Sequence, residues 1–115
     1  MGEFVHVYHV YILSSDSKRL YIGVTSYLEK RVRQHKEEFF PDCFTALYNI
    51  KRLVYYERFA HIDVAIAREE QLKRWSRLKK VQLIVRTNPD WRDLSEEWGK
   101  PTEPFSGKLR PPTTF

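Results

Sequence analysis

The stretches Val10-Tyr11-Ile12-Leu13 and Leu20-Tyr21-Ile22-Gly23-Val24-Thr25, at residues 10–13 and 20–25, decide the fold of this chain. Both are dense in Val, Ile, Leu and Tyr, the residues that favour extended backbone. Between them lies Ser14-Ser15-Asp16-Ser17, which has the composition of a turn. The pattern predicts a β-hairpin whose first strand covers Phe4–Leu13 and whose second strand covers Leu20–Thr25.

Capping signals place helices after the hairpin. Ser26 and Glu29 have the spacing of a capping box, in which the hydroxyl and the carboxylate each bond a free backbone N–H. A helix is therefore predicted from Ser26 to about Glu38, and it ends before Pro41. The other predicted elements are a strand over Arg52–Phe59, a helix over Val64–Trp75 capped by Asp63, and a helix over Arg77–Arg86 capped by Ser76.

The order of these elements predicts an α+β fold, with a small three-stranded mixed β-sheet and helices packed on it. A chain of 115 residues suits one compact domain, which we expect to span residues 1–98. Residues 99–115 are polar and rich in proline, so they offer little apolar surface to offset the entropy of ordering. We expect this segment to be a flexible tail.

The charge balance favours a polyanionic partner. Lys and Arg outnumber Asp and Glu by 20 to 15, which gives a formal charge of +5. Nucleic acid is the commonest polyanion in a cell, although many proteins without this role carry a similar charge. No apolar run approaches the roughly 20 residues of a membrane helix, and the N-terminus lacks the pattern of a secretory signal. No membrane partner is expected.

Cysteine and histidine usage excludes several other classes of protein. Cys43 is the only cysteine, so no internal disulfide can form and the reducing cytoplasm is the expected compartment. No feature of the sequence indicates an activated thiol there, and a cysteine nucleophile is not predicted. A zinc site is not predicted either, because paired ligand spacing is lacking among His6, His9, His35, His61 and Cys43.

Two polar residues accompany the apolar face of the first predicted helix. Leu28 and Val32 mark that face by their i,i+4 spacing, and Arg31 and His35 project beside it one turn apart. Taken alone, His35 is best interpreted as a hydrogen-bonded core histidine. Taken singly, the tyrosines of the predicted strands are also ordinary residues for their positions; they are Tyr8, Tyr11, Tyr21, Tyr55 and Tyr56.

A carboxylate lies in the apolar face of the second predicted helix. Ala65, Ile66 and Leu72 mark this face, and Glu69 falls between them. An unpaired buried carboxylate is costly, so Glu69 should have a cation as its partner. From this pattern alone, a structural ion pair between Arg31 and Glu69 is favoured over a catalytic site, because such pairs also place charges in apolar faces.

The hairpin resembles the paired motif that names the GIY-YIG nuclease superfamily. Tyr21-Ile22-Gly23 keeps the second motif whole, whereas His9 and Val10 stand before Tyr11 where the first motif has Gly and Ile. The resemblance covers roughly residues 7–95 and is closest to small stand-alone bacterial members, related to the N-terminal domain of the excinuclease C subunit. It continues through Leu28, Arg31, His35, Phe44-Thr45, Arg68-Glu69, Leu72-Lys73 and Asn88-Pro89-Asp90-Trp91.

The resemblance implies a phosphodiester-cleaving site built from five residues. Glu69 would be the single protein ligand of one Mg²⁺ or Mn²⁺ ion, and Arg31 would hold the scissile phosphate. Tyr21 would orient or deprotonate the attacking water with Tyr11 beside it, and the choice of base stays open between them. His35 would hydrogen-bond a tyrosine or the phosphate. A free phenol has a pKa near 10, so a tyrosine base requires nearby cations.

Nucleic-acid contacts are predicted at two further places. The missing side chain of Gly23 would let a phosphate backbone approach the sheet, and a β-bulge at this position is the compatible structural interpretation. Basic residues at the junction of the last two helices could follow flanking phosphates, although each one singly is more ordinary as part of a solvated helix face. These basic residues are Lys73, Arg74, Arg77, Lys79 and Lys80.

The function that the resemblance implies is a divalent-metal-dependent endonuclease acting on structured or damaged DNA, and the choice between DNA and RNA stays open. The alternative from another class is a non-catalytic nucleic-acid-binding module of a DNA repair or recombination assembly. A purely structural partner of such an assembly is a third reading. It would expose an apolar patch, for which Phe105 and Phe115 are the hint.

Overall fold

The computed structural model of this chain describes residues 6–37, 44–96 and 98. Its strands are β1 (Tyr8–Ser14), β2 (Leu20–Thr25) and β3 (Arg52–Phe59), and its helices are α1 (Leu28–Lys36), α2 (Phe44–Leu47), α3 (Ile62–Arg74) and α4 (Arg77–Thr87). The predicted α+β fold, a three-stranded sheet with helices packed on it, is confirmed. The predicted strand start at Phe4, the helix stop before Pro41 and the tail over 99–115 lie outside the described residues.

The sheet is antiparallel, and the prediction of a mixed sheet is wrong. Its order is β2-β1-β3, and β1 pairs antiparallel with both neighbours. β2 and β3 run in the same direction, but β1 separates them, so no parallel pair forms. The β1–β3 register shifts between Ile12 and Leu13, where β3 has one extra residue, Val54, and this marks a β-bulge in β3.

The central strand is buried on both faces of the sheet. Val10 and Ile12 pack with residues of α3 and α4, whereas Tyr11 and Leu13 pack with residues of α1. Successive side chains of a strand point to opposite faces of the sheet, and helices cover both faces here. The sequence of β1 is therefore apolar at consecutive positions from Val10 to Leu13. Tyr11 therefore lies on the face that α1 covers.

The predicted capping box does not form. α1 begins at Leu28 with Tyr27 as its N-cap and without a side-chain capping bond. The reason is local, because the Thr25 hydroxyl accepts a hydrogen bond from the Tyr27 backbone N–H at 3.0 Å. This bond extends the turn after β2, so the helix begins two residues later than Ser26.

The other helix signals have mixed outcomes. Ser76 caps α4 as predicted, since its hydroxyl accepts a bond from the Lys79 backbone N–H at 3.2 Å. Asp63 does not cap α3, which begins at Ile62 with His61 as N-cap and no side-chain capping bond. Asp63 lies instead in the first turn, where its charge favours the helix dipole. No described helix has the length and apolar character to span a membrane.

The segment after α4 returns to the sheet and covers its β3 edge. The Trp91 indole N–H donates to the Ser14 hydroxyl at 2.9 Å, and the Leu94 backbone N–H donates to the Leu53 carbonyl at 2.7 Å. The Asp93 carboxylate accepts from the Leu53 backbone N–H and pairs with Lys36 of α1. The predicted turn at Asn88 is thus the start of a structural segment that joins β3 to α1.

Candidate active site

A buried hydrogen-bond chain begins at Tyr11 in the centre of the sheet. The Tyr11 side chain is 1% exposed, and its Oη lies 3.3 Å from Nε2 of His35 on α1. Nδ1 of His35 lies 2.8 Å from Oγ1 of Thr45 on α2. Burial, followed by the charge of Arg31, lowers the pKa of His35. The neutral imidazole can accept from one of these hydroxyls while it donates to the other.

Tyr21 completes a cluster of three rings on this face. Its ring centroid lies 5.4 Å from that of His35 and 6.3 Å from that of Tyr11. Tyr21 is half-buried, whereas Tyr11 and His35 are buried. Tyr21 is therefore the member of the cluster that reaches solvent.

Gly23 makes room for the Tyr11 ring. The two residues are register partners, and a Cβ at Gly23 would lie 2.5 Å from Oη and 2.6 Å from Cζ of Tyr11. The β-bulge predicted at Gly23 is wrong, because the β1–β2 register runs through this position without a shift. Contact of Gly23 with nucleic acid stays a prediction.

We expect Gly23→Ala to destabilise the fold by about 1–3 kcal/mol, the usual cost of overpacking a core. The added methyl group would overlap the Tyr11 phenol, which β1 holds in place. The measurement is urea unfolding of Gly23→Ala, Tyr11→Leu and the double variant. If the overlap is the cause, the glycine substitution costs little in the Tyr11→Leu background. An equal cost in both backgrounds would contradict this explanation.

Charges from two helices act on the Tyr11 phenol. Burial, followed by the neighbouring Tyr21, raises the pKa of Tyr11 far above its ordinary value. The Arg31 guanidinium of α1 opposes this rise in the Tyr11 pKa, and the Glu69 carboxylate of α3 adds to it. Tyr11 is therefore a protonated hydrogen-bond donor at neutral pH, and Arg31 and Glu69 lie at the same site.

Glu69 is largely buried and pairs with a neighbour on its own helix. Its side chain is 15% exposed, and its Oε2 lies 3.0 Å from Nζ of Lys73, four residues along α3. The ion pair predicted between Arg31 and Glu69 is not among the salt bridges of the described residues, because Lys73 reaches the carboxylate from the next turn. Ile66 is 39% exposed and does not belong to the buried face that was predicted to include it.

Arg31 keeps its guanidinium available beside this site. It is half-buried on α1, and no salt bridge engages it within the described parts of the chain. A guanidinium is always charged and presents a planar fork of N–H donors, which suits two oxygens of one phosphate. Arg31 also hydrogen-bonds the Tyr11 phenol, so it combines a contact with the ring cluster and the chemistry of an anion ligand.

The basic residues predicted to contact nucleic acid lie at the α3–α4 junction. Lys73 forms an ion pair with Glu69 of the candidate site, and Arg74 is exposed at the end of α3. Arg77 donates to the Lys18 carbonyl at 2.7 Å, and Lys80 is half-buried on α4. No described contact joins Arg74, Arg77 or Lys80 to the Tyr11 ring cluster, so their role stays a prediction.

The candidate metal ligand among the described residues is the single carboxylate of Glu69. Within residues 6–37, 44–96 and 98, no group of three or more His, Cys, Asp and Glu side chains could hold a metal ion. A single carboxylate such as Glu69 suits Mg²⁺, which keeps several of its waters and accepts substrate oxygens as ligands. A structural zinc ion requires about four protein ligands.

Comparison with known proteins agrees with this arrangement. The GIY-YIG catalytic domain family matches residues 7–82. A UPF0213 protein of Syntrophus aciditrophicus is 35% identical over 82 residues, which cover 71% of this chain and 93% of that relative. A UPF0213 protein of Autographa californica nuclear polyhedrosis virus is 39% identical over 80 residues, covering 68% of this chain and 76% of that relative.

A solved structure also resembles the fold. The solution NMR structure of a UPF0213 protein from Bacillus halodurans aligns with a TM-score of 0.50 at 25% identity, covering 81% of this chain and 97% of the other. The family match, the relatives and the fold agree with one another. The chain therefore belongs to the GIY-YIG family and is a small member of that nuclease superfamily.

Proposed function

We propose that this chain is a divalent-metal-dependent endonuclease that hydrolyses phosphodiester bonds in structured or damaged DNA. One observation carries the proposal: Tyr11, Tyr21 and His35 form one ring cluster, and the charges of Arg31 and Glu69 both act on the Tyr11 phenol. The nuclease family implies a nucleic-acid substrate, and its members generally depend on a divalent metal.

Arg31 binds the scissile phosphate in this proposal. Hydrolysis develops negative charge on the phosphate oxygens, and fixed cationic donors stabilise that charge in a site partly shielded from water. The guanidinium of Arg31 is free of salt bridges in the described chain and lies beside the buried phenol. A bound divalent ion, held by Glu69, would supply further positive charge to the same phosphate.

The two tyrosines take different roles. Tyr11 donates its hydroxyl hydrogen within the cluster, because its raised pKa keeps it protonated and makes it a poor base. Tyr21 is half-buried and faces the solvent side of the cluster, so it contacts the attacking water and orients it. His35, held between Tyr11 and Thr45, fixes the position of the Tyr11 hydroxyl.

The Lys73 ammonium group forms an ion pair with the Glu69 carboxylate, which is the group that would bind the metal. A divalent ion held by Glu69 would take the place of the ammonium group, and Lys73 could then contact a flanking phosphate. We expect Lys73→Met to strengthen Mn²⁺ binding a few-fold, matching the about 0.2–1 kcal/mol of a partly exposed ion pair. Electron paramagnetic resonance of free Mn²⁺ measures this affinity without substrate.

The matched control for Lys73→Met is Arg74→Met, which removes an equal charge from the neighbouring exposed position. Equal strengthening of Mn²⁺ binding in both variants would mean that the net charge of the helix end matters and the Lys73–Glu69 pair does not.

The test of the proposed function is a cleavage screen over single-stranded, duplex, branched and damaged DNA and over RNA, each with Mg²⁺ and with Mn²⁺. We expect cleavage of at least one structured DNA by the wild-type chain and none by Glu69→Ala. Binding without cleavage across the whole screen would instead make the chain a non-catalytic nucleic-acid-binding module.

A further inference from the structure

An aromatic groove lies on the sheet face that carries Tyr11. It has a volume of about 650 Å³ and is open to solvent. Its lining includes the rings of Tyr27, Tyr56 and Trp98, with His9 and Arg58 from the strands and Glu29 from α1. The five residues of the proposed catalytic site are absent from this lining, so the groove is an addition to that site.

The groove begins beside Tyr11 of the proposed catalytic site. Tyr56 is the register partner of Tyr11, and Arg58 is the register partner of His9. Because side chains alternate along a strand, His9 and Tyr11 point to the same face and their Cα atoms lie roughly 6.5 Å apart. A strand whose scissile phosphate lies at Arg31, beside the Tyr11 ring cluster, would therefore place an adjacent nucleotide in the groove.

The rings of the groove are available for stacking. Tyr27 is 63% exposed and Tyr56 is 39% exposed, so both rings present surface to the groove. The Tyr56 ring meets the His9 ring edge to face, with centroids 5.7 Å apart. This contact supports Tyr56 from one side and leaves much of its surface open to a planar ligand.

His9, which lines the groove, has an unsatisfied polar atom beneath its surface. Nδ1 of His9 is buried and has no hydrogen-bond partner among the residues that the structure describes. An unpaired buried polar atom is costly, and a ligand atom that bonded it after a movement of the His9 ring would offset part of that cost. Nucleobases combine ring faces with hydrogen-bonding edges, and they match this combination of open rings and one unpaired nitrogen.

We infer that this groove binds an unpaired nucleobase next to the scissile phosphate, so that the substrate is single-stranded nucleic acid or an unpaired segment within a duplex. The inference rests on the proposed function, because the phosphate at Arg31 sets the position of the base. A base inside a duplex has both faces stacked on its neighbours and cannot offer one to Tyr56. Glu29 repels phosphate and Arg58 attracts it, which orients the backbone toward β3.

The test compares two fluorescein-labelled DNA oligonucleotides of one sequence, single-stranded and duplex, by anisotropy at one salt concentration and without divalent metal. We expect the wild-type chain to bind the single strand more tightly. Tyr56→Leu should weaken single-strand binding about fivefold or more, the lower range for loss of one stacking contact, and leave duplex binding unchanged.

Tyr48→Leu is the matched control, since Tyr48 is 45% exposed and lies outside the groove. Tyr27→Leu is a second groove variant and keeps the test decisive if Tyr56→Leu does not fold, as judged by its thermal melting. Equal affinities for both DNA forms, or equal effects of the groove and control variants, would overturn the inference.

The two proposals fail in different ways. Glu69-dependent cleavage together with unchanged single-strand binding in the groove variants would overturn the nucleobase groove and leave the endonuclease. Selective loss of single-strand binding in those variants, with no Glu69-dependent cleavage of any substrate, would support the groove and overturn the endonuclease.

Discussion

Glu69→Gln is expected to lower the cleavage rate by about a hundredfold or more while the fold stays intact. The amide keeps the shape of the side chain but removes the charge that would hold the divalent ion. The lost ion pair with Lys73 is partly exposed, with Lys73 52% exposed, so its contribution to stability is at most about 1 kcal/mol. Initial cleavage rates in saturating Mg²⁺ and thermal melting measure the two effects separately.

Glu70→Gln is the matched control for this substitution. Glu70 is the next residue on α3 and is exposed, so it carries the same charge outside the site. Its cleavage rate should stay within about twofold of the wild-type rate, in line with the small effect of most surface substitutions. Wild-type cleavage by Glu69→Gln would show that this carboxylate does not bind the required metal.

Arg31 should be the second most sensitive position. We expect Arg31→Ala to reduce cleavage by about a hundredfold or more, because the phosphate loses its charged, two-pronged partner. Arg31→Lys keeps the charge but loses the fork of donors, so it should recover only part of the rate. Full recovery in Arg31→Lys would mean that only the charge matters and that the guanidinium does not bind the phosphate in two places.

A second measurement on Arg31→Ala is independent of activity. The Arg31 charge lowers the pKa of His35, so the substitution should raise that pKa toward 6.5, while burial still holds it below this value. The imidazole resonances of His35, followed by NMR against pH, measure the change. An unchanged His35 titration would show that the guanidinium does not lie beside the ring cluster in solution.

The lowered His35 pKa has a defined effect on stability. The folded state binds this proton less readily than the unfolded state, so the stabilising contribution is present above pH 6.5 and is lost as the pH falls through the folded pKa. Arg31→Ala should reduce this loss, because it brings the folded and unfolded pKa values of His35 closer together.

Local sequence patterns predicted an element correctly where no neighbouring side chain competed for the same backbone hydrogen bond. The bounds of β2 and β3 follow from dense β-forming residues between turn residues. Ser76 caps α4 as its spacing predicts, because its hydroxyl accepts from the Lys79 backbone N–H. Ser26 has an equally good cap spacing, but the neighbouring Thr25 hydroxyl bonds the backbone first. The spacing of Ser26 and Glu29 shows that a capping box is possible, but it does not show that Thr25 can bond the Tyr27 backbone instead. The bond from Tyr27 to Thr25 explains why α1 begins later than predicted.

Contacts between residues far apart in the sequence could not be predicted from local sequence patterns. The antiparallel character of the sheet depends on β1 lying between β2 and β3, a pairing between distant segments. Thr45 enters the sequence interpretation only as part of the family resemblance, without a role of its own, and its contact with His35 appears only when α2 lies against α1. The tyrosines, His35 and Glu69 could be proposed only through the family resemblance, since each is ordinary at its position when considered alone.

The covering of the β3 edge by residues 88–94 bears on how the protein unfolds. The family match ends at residue 82, yet Asn88 donates to the Val54 carbonyl, and Leu94 and Asp93 bond both backbone groups of Leu53. These bonds connect residues 88–94 to β3, the strand that pairs with β1. Residues 88–94 should thus belong to the same cooperative unit as the sheet, and their amide hydrogens should exchange with solvent as slowly as those of β3.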